Sequence, residues 1–304
     1  MAGWTLADPV FAQRGREQEL AVLYPDVAEP FSSFFARILD GIDDRLKTRV
    51  QRVAVPANPN IPALVADLKQ RQLRVVIALG RVGLRVANAL EKTDVVAGCV
   101  VSVSEAEARD ALVLSLAPDP ALLLRRLKGL LPNARSVTVA YSAANSGWLM
   151  GMAKDASHAL GLELRAAQVA DPRAAMQVYQ SYFAQATPRD ALWLPQDSLV
   201  LDESAMLPLI LQECWGKTLP MFSSNSSHVS RGALFSLLAN NHALGRSLGA
   251  MAQARLAAEG AARGMLPMRD VVGALNTRTA SHLGVEITAQ LRQDYEVLLP
   301  ERSA

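Results

Sequence analysis

Short β-branched runs alternate with longer amphipathic stretches along most of this chain, and few folds accommodate that rhythm. A strand followed by a helix and a second strand closes most readily as a parallel pair with the helix packed across it, which points to the α/β class with mainly parallel sheets. Strands are expected at Leu20–Tyr24, Val50–Val55, Val75–Leu79, Val95–Val101 and Ala111–Leu116, and helices at Phe31–Lys47 and Pro62–Gln70. In the first of these helices Phe34, Phe35, Ile38, Ile42 and Leu46 recur at helical spacing.

The rhythm breaks at Ala117-Pro118-Asp119-Pro120, where two prolines flank a good helix cap, and then starts over. After a helix at Ala121–Leu131, strands are expected at Ser136–Tyr141, Glu163–Gln168, Ala191–Leu194 and Pro220–Ser223. Helices at Gly147–Leu160, Ala174–Ala186 and Ser204–Trp215 separate them. The run Gly232–Leu238, a long Ala-rich helix at His242–Arg263, a last strand at Val271–Asn276 and two short helices complete the reading. A length of 304 residues suits two such lobes.

Composition narrows the function by exclusion. Thirty-one Lys and Arg against 29 Asp and Glu leave a formal charge of +2, so neither nucleic acid nor an anionic membrane is an expected partner. His158, His228, His242 and His282 are scattered without zinc-ligand spacing, and Cys99 and Cys214 read as inert buried thiols, so no metal is expected. No G-x-S-x-G elbow is present, a Ser224–His228 adjacency is not a triad, and Gly80–Gly83 lacks the full dinucleotide fingerprint. The expectation is a monomeric binding protein, with no catalysis and no cofactor. No run is long enough for a membrane helix. Met1–Ala12 ends in Val10-Phe11-Ala12, which fits either the remnant of an export signal or a plain N-terminal segment.

In open parallel sheets ligands sit beyond the strand carboxyl ends, where helix N-termini expose N–H groups. Five segments occupy such places. Tyr24-Pro25-Asp26 leads to Ser32-Ser33, whose hydroxyls serve a helix cap or a ligand. Gly80-Arg81 follows the third strand, where the glycine permits close backbone approach and the arginine offers a fork of donors to an anion. Asn145-Ser146, Asp197-Ser198 and Ser223-Ser224 follow strands of the second series. Asp197 is read there as a partner for a ligand amine, with turn capping as the alternative.

From about Leu20 onward the sequence resembles the bacterial ABC-transporter substrate-binding proteins that include tryptophan- and tyrosine-binding members. The likeness is carried by Leu131-Pro132-Asn133-Ala134-Arg135-Ser136-Val137, Ala159-Leu160-Gly161-Leu162-Glu163-Leu164, Arg231-Gly232-Ala233-Leu234, Leu244-Gly245-Arg246 and Leu275-Asn276-Thr277-Arg278-Thr279-Ala280. It implies a type I periplasmic-binding-protein fold, two Rossmann-like lobes joined by a multi-strand hinge. Residues 13–117 with about 241–264 would form one lobe, and 118–240 with about 265–304 the other. It also implies a periplasmic protein whose loops hold a small ligand in an interlobe cleft and hand it to an ABC permease, or report it to a membrane sensor. Its ligand loops map onto Gly80–Gly83, Asn145–Ser146, Asp197–Ser198 and Ser223–Ser224, with Ser102 in the turn after the fourth strand. Arg81 stands where the family usually carries a small hydroxyl residue, which favours an amino-acid-like solute or a small anion.

Overall fold

The computed structural model describes residues 19–47, 50–257 and 262–300; the segment Met1–Ala12, read above as a possible signal remnant, lies outside them. Contacts divide the chain into two units. One comprises residues up to Leu116 together with Asn240–Leu266; the other comprises Ala117–Ala239 and the chain from Pro267.

The first unit is built on strands β1 (Leu20–Pro25), β2 (Gln51–Val55), β3 (Val75–Leu79), β4 (Asp94–Val100), β5 (Ala111–Pro118) and β11 (Gly264–Met268), in the order β11-β5-β4-β3-β1-β2. Neighbours from β5 to β2 pair in parallel. The central strand β3, Val-Val-Ile-Ala-Leu, is buried along its whole length, as a strand covered on both faces must be, whereas β2 at the edge is only partly covered. Cys99 sits at a register shift between β4 and β5 with φ of 61°, an extra residue accommodated as a bulge. Helices α1 (Phe31–Leu46), α2 (Ile61–Gln70), α3 (Gly80–Ala87) and α4 (Glu105–Asp110) each follow a strand, and α10 (Asn241–Leu256) packs along α1.

That helix pair approaches unusually closely. A Cβ built on Gly41 would lie 2.1 Å from the carbonyl oxygen of His242, and one on Gly245 would lie 2.1 Å from that of Ile38. Only hydrogen fits at either position, so the two glycines set the interaxial distance and let Ile38, Ile42, Leu244 and Leu248 bury fully.

The second unit restarts the pattern with α5 (Pro120–Leu130), capped by Asp119, whose carboxylate accepts the Ala121 N–H at 2.8 Å and pairs with Arg269 at 2.8 Å. Strands β6 (Ser136–Tyr141), β7 (Glu163–Gln168), β8 (Asp190–Leu194) and β9 (Met221–Ser223) form a parallel sheet in the order β7-β6-β8-β9. Glu163 and Arg165 on β7 keep that edge charged, which discourages pairing with another chain. Helices α6 (Gly147–Ala159), α7 (Pro172–Gln185), α8 (Met206–Gly216) and α9 (Ser227–Arg231) connect these strands and lead out of β9. A second small sheet, β10 (Phe235–Ala239), β12 (Val271–Asn276) and β13 (Val297–Leu299), mixes an antiparallel pair with a parallel one. Helices α11 (Thr277–His282) and α12 (Ala289–Gln293) lie between its last two strands in sequence. Trp193, Phe222 and Phe235, all fully buried, stack at 6.2 and 5.0 Å between centroids and join the two sheets through one aromatic row.

The expected helix to Arg263 ends at Leu256, and the strand at Gly264–Met268 and the three residues of β13 were not read from the sequence.

Candidate functional site

Both parallel sheets share one topology. In the first unit β3, β4 and β5 extend to one side of β1 and β2 to the other; in the second, β8 and β9 extend to one side of β6 and β7 to the other. The order therefore reverses between β1 and β3 and again between β6 and β8, and at such reversals the connecting helices diverge and leave a crevice beyond the strand carboxyl ends.

Helix capping follows this geometry. Asn60, Ser104 and Asp171 cap the helices after β2, β4 and β7, each by accepting a backbone N–H of the first turn. The helices after β1, β3, β6 and β8 carry no side-chain cap: their N-cap residues are Pro30, Leu79, Ser146 and Ala205. At the helix after β1 the Phe31 and Ser32 N–H groups bond the Ala28 carbonyl, and at the helix after β8 the Met206 N–H bonds the Asp202 carbonyl; the starts of the helices after β3 and β6, beside the two reversals, offer their leading N–H groups to water or a ligand.

In the second unit Asp197 organises the reversal. It is 3% exposed, and its carboxylate accepts the Ser142 N–H at 2.8 Å, the Ser142 hydroxyl at 2.9 Å, the Asn145 side-chain amide at 3.1 Å and the Leu199 N–H at 3.2 Å. Asp197 thus pins the loop after β6 to the loop after β8. Of the two readings of Asp197, an amine partner or a turn cap, these four donors are those of a cap. Ser142 opens the polar run Ser142–Gly147 that the sequence marks after this strand, and Tyr141 and Trp148 join it without a sequence signal; the Trp148 indole N–H donates to the Asn145 carbonyl at 3.1 Å, and a Cβ on Gly147 would lie 4.0 Å from the Tyr141 ring. Asn145 is half-buried, Ser146 buried and Ser198 exposed.

Ser223 and Ser224 are also turned inward. The Ser224 hydroxyl accepts the Trp193 indole N–H at 3.0 Å. The Ser223 hydroxyl lies 3.0 Å from the Leu194 carbonyl and 2.9 Å from His228 Nδ1, and which of the two atoms carries the proton in the second contact follows the imidazole tautomer. Nε2 of the same ring lies 3.2 Å from Glu203, off hydrogen-bond geometry. Ser223, His228 and Glu203 have the membership of a hydrolytic triad, but Ser223 is fully buried with its hydroxyl against the Leu194 carbonyl, where no substrate reaches it.

Burial lowers the His228 pKa, against the opposing pull of Glu203. The fold thus favours the neutral ring, while the unfolded chain takes up a proton near the ordinary value of about 6.5. This stability contribution is intact above that value and lost as pH falls. The melting temperature is expected to drop between about pH 7 and pH 5, less steeply in His228→Gln, and identical pH profiles of the two by calorimetry would remove His228 from this role.

In the first unit Gly80 takes φ of +70° where β3 passes into α3, and a Cβ there would meet the Pro25 ring at 3.3 Å, which draws the ends of β1 and β3 together beside Tyr24. Arg81 bends onto the neighbouring turn: its guanidinium donates to the Ser102 carbonyl and lies 3.5 Å from Glu107. Burial opposes ionisation of Glu107, and the Ser104 N–H and hydroxyl together with Arg81 outweigh it, so its carboxyl stays below the usual range. Arg81 is therefore partly committed to structure, with 57% of its side chain exposed. Ser32 and Ser33, read as either helix-start or ligand hydroxyls, both donate to Glu29. Those two hydroxyls hold the Glu29 carboxyl below its ordinary pKa, an anion placed just before the N-cap Pro30 of α1. Burial pushes the thiols of Cys99 and Cys214 up to about 12, so neither offers a thiolate at neutral pH.

The family model described as ABC transporter substrate binding protein matches residues 121–295, more than half of the sequence. The chain belongs to that family. This binding protein also superposes on solved structures over 92% of its length and 99% of theirs. They are the ligand-free, open form of CD0873, a substrate-binding protein with adhesive properties from Clostridium difficile (TM-score 0.66, 17% identity), and an ABC domain in complex with L-Trp from Streptococcus pneumonia (TM-score 0.55, 17% identity). A conserved domain protein from Vibrio cholerae matches equally far along (TM-score 0.55, 16% identity). No curated protein sequence matches the chain. The fold is that of a type I periplasmic binding protein, and the protein is a solute-binding protein. No described helix is long and apolar enough to cross a membrane, and no cluster of metal-ligating side chains occurs among the described residues.

Proposed function

We propose that this protein is the periplasmic solute-binding component of an ABC importer, that it performs no covalent chemistry, and that its ligand is small, polar and amino-acid-like. The observation that carries the reading is that a helix start without a side-chain cap stands beside each topological reversal, α3 after β3 in the first unit and α6 after β6 in the second. Family membership adds the permease as partner.

Charge at the first reversal supports a zwitterionic ligand. The α3 N-terminus and the free donors of Arg81 suit a carboxylate, and Glu29, exposed at the start of α1, suits an amine. Glu29 thereby takes the part that the sequence reading gave to Asp197. The L-Trp complex of the streptococcal neighbour supports the amino-acid class, and Arg81 directs the reading to ligands with an exposed carboxylate.

A thermal-shift screen over amino acids, small carboxylates and nucleosides tests this. A ligand at about a hundred times its Kd adds about 2.7 kcal/mol to stability and should raise the melting point by several degrees. Arg81→Ala and Glu29→Gln should each weaken the hit about tenfold, an effect expected of one lost charge-assisted contact. A nucleoside as the sole hit, or a hit indifferent to both substitutions, would dismiss the assignment. Uptake of the hit should disappear when the gene is deleted; retained uptake with a lost transcriptional response would replace import by sensing.

A further inference from the structure

The second unit contains a cavity of about 430 Å³ made by the end of α8, the turn after α9 and helix α11. Leu211, Leu219 and Met221 form an apolar floor, and Arg231 and Arg278 stand on the lining, where no aspartate or glutamate is present. The volume lies in the range of small-molecule sites.

Its cations are arranged rather than scattered. Arg278 lies over the Trp215 ring at 5.2 Å, and His282 stacks on the same indole at 3.9 Å with an interplanar angle of 7°, its Nε2 2.9 Å from the Trp215 carbonyl. A guanidinium over an aromatic face keeps its N–H groups available at its edge, and among the described residues no carboxylate pairs with Arg278. Arg231 spends one nitrogen on the Glu203 carbonyl at 3.2 Å. Neither arginine forms an ion pair among the described residues.

We propose that this cavity is a second ligand site, distinct from the strand-end loops, and that it takes a small organic carboxylate with an apolar body. The carboxylate meets Arg278 and Arg231, and the body covers the leucine and methionine floor. Trp215, 40% exposed, forms the wall against which it lies.

The test uses hexanoate and phenylacetate against their neutral counterparts hexanamide and phenylacetamide, titrated into the full chain while the Trp215 indole N–H is followed by NMR, with Trp215→Phe identifying the resonance. The acids should shift it saturably, the amides should not, and Arg278→Gln should weaken the acids about tenfold or more. Arg81→Ala, which removes a residue of the other site, should leave these titrations unchanged. Equal response to acid and amide would overturn the proposal, as would no saturable shift below about 10 mM. So would a response that survives both Arg278→Gln and Arg231→Gln, or one lost in Arg81→Ala alone. Circular dichroism of each variant confirms that the fold is kept.

Discussion

Gly245→Ala is expected to destabilise the protein by about 3 kcal/mol or more, lowering the melting temperature by about 6–12 °C. The added methyl would lie 2.1 Å from the Ile38 carbonyl oxygen and 3.1 Å from the Gly41 Cα, and both neighbours are backbone. No rotamer change relieves such a contact; α1 and α10 must move apart, and with them the burial of Ile38, Ile42, Leu244 and Leu248. Gly151→Ala on α6 supplies the control. Its Cβ meets nothing within 4 Å, so the gain in helix propensity should leave stability unchanged or raise it by about 0.5–1 kcal/mol. Calorimetry of both variants decides the matter, and a Gly245→Ala protein as stable as the parent would mean that the helices are not packed at this distance.

Asp197→Ala should be comparably severe for a different reason. It removes the acceptor of the buried Ser142 N–H and hydroxyl and cuts the bonds to the Asn145 amide and the Leu199 N–H that hold the two loops together. Each buried donor left unpaired costs about 1–3 kcal/mol, so a total loss of about 3 kcal/mol is expected from denaturant unfolding. Asp197→Asn should recover only part of it, because the amide turns a donor toward donors. Ligand affinity should fall along with stability, since the loop that positions Asn145 and the start of α6 is no longer held to the loop after β8. Ser198→Ala, at the exposed neighbour, should leave stability within about 0.5 kcal/mol of the parent. Native stability in Asp197→Ala would show that the carboxylate is not the clamp described here.

These two residues also mark the limits of reading function from the chain alone. Gly245 was visible only as part of a loose family motif, and nothing near it in sequence announces that Ile38, some two hundred positions earlier, leaves room for no side chain. Asp197 was picked out as a candidate from its place after a buried strand. Its partner Ser142 is 55 positions away, so no local pattern tells that the carboxylate is spent inside the unit. Ser223 and Ser224 read as candidate ligand hydroxyls after a strand, and the contacts that turn both inward, to Leu194 and Trp193, are with residues some thirty positions away. Glu29 left a faint signal, an acid three and four positions before two serines at a helix start, which local spacing alone would have sufficed to notice.

What the amino-acid sequence determined by itself was the alternation of elements and hence the α/β class: Val75–Leu79 is a strand from end to end because five consecutive apolar residues can be buried on both faces, and Ser136–Tyr141 and Val271–Asn276 follow the same local logic. Tertiary structure alone decided where strand order reverses, which helix starts stay uncapped, and which polar side chains face inward. Periodicity is a property of neighbours along the chain and survives in any fold that buries the apolar face. Hydrogen-bond partners and interhelical distances join residues far apart in sequence, and their energies exist only once those residues have been brought together.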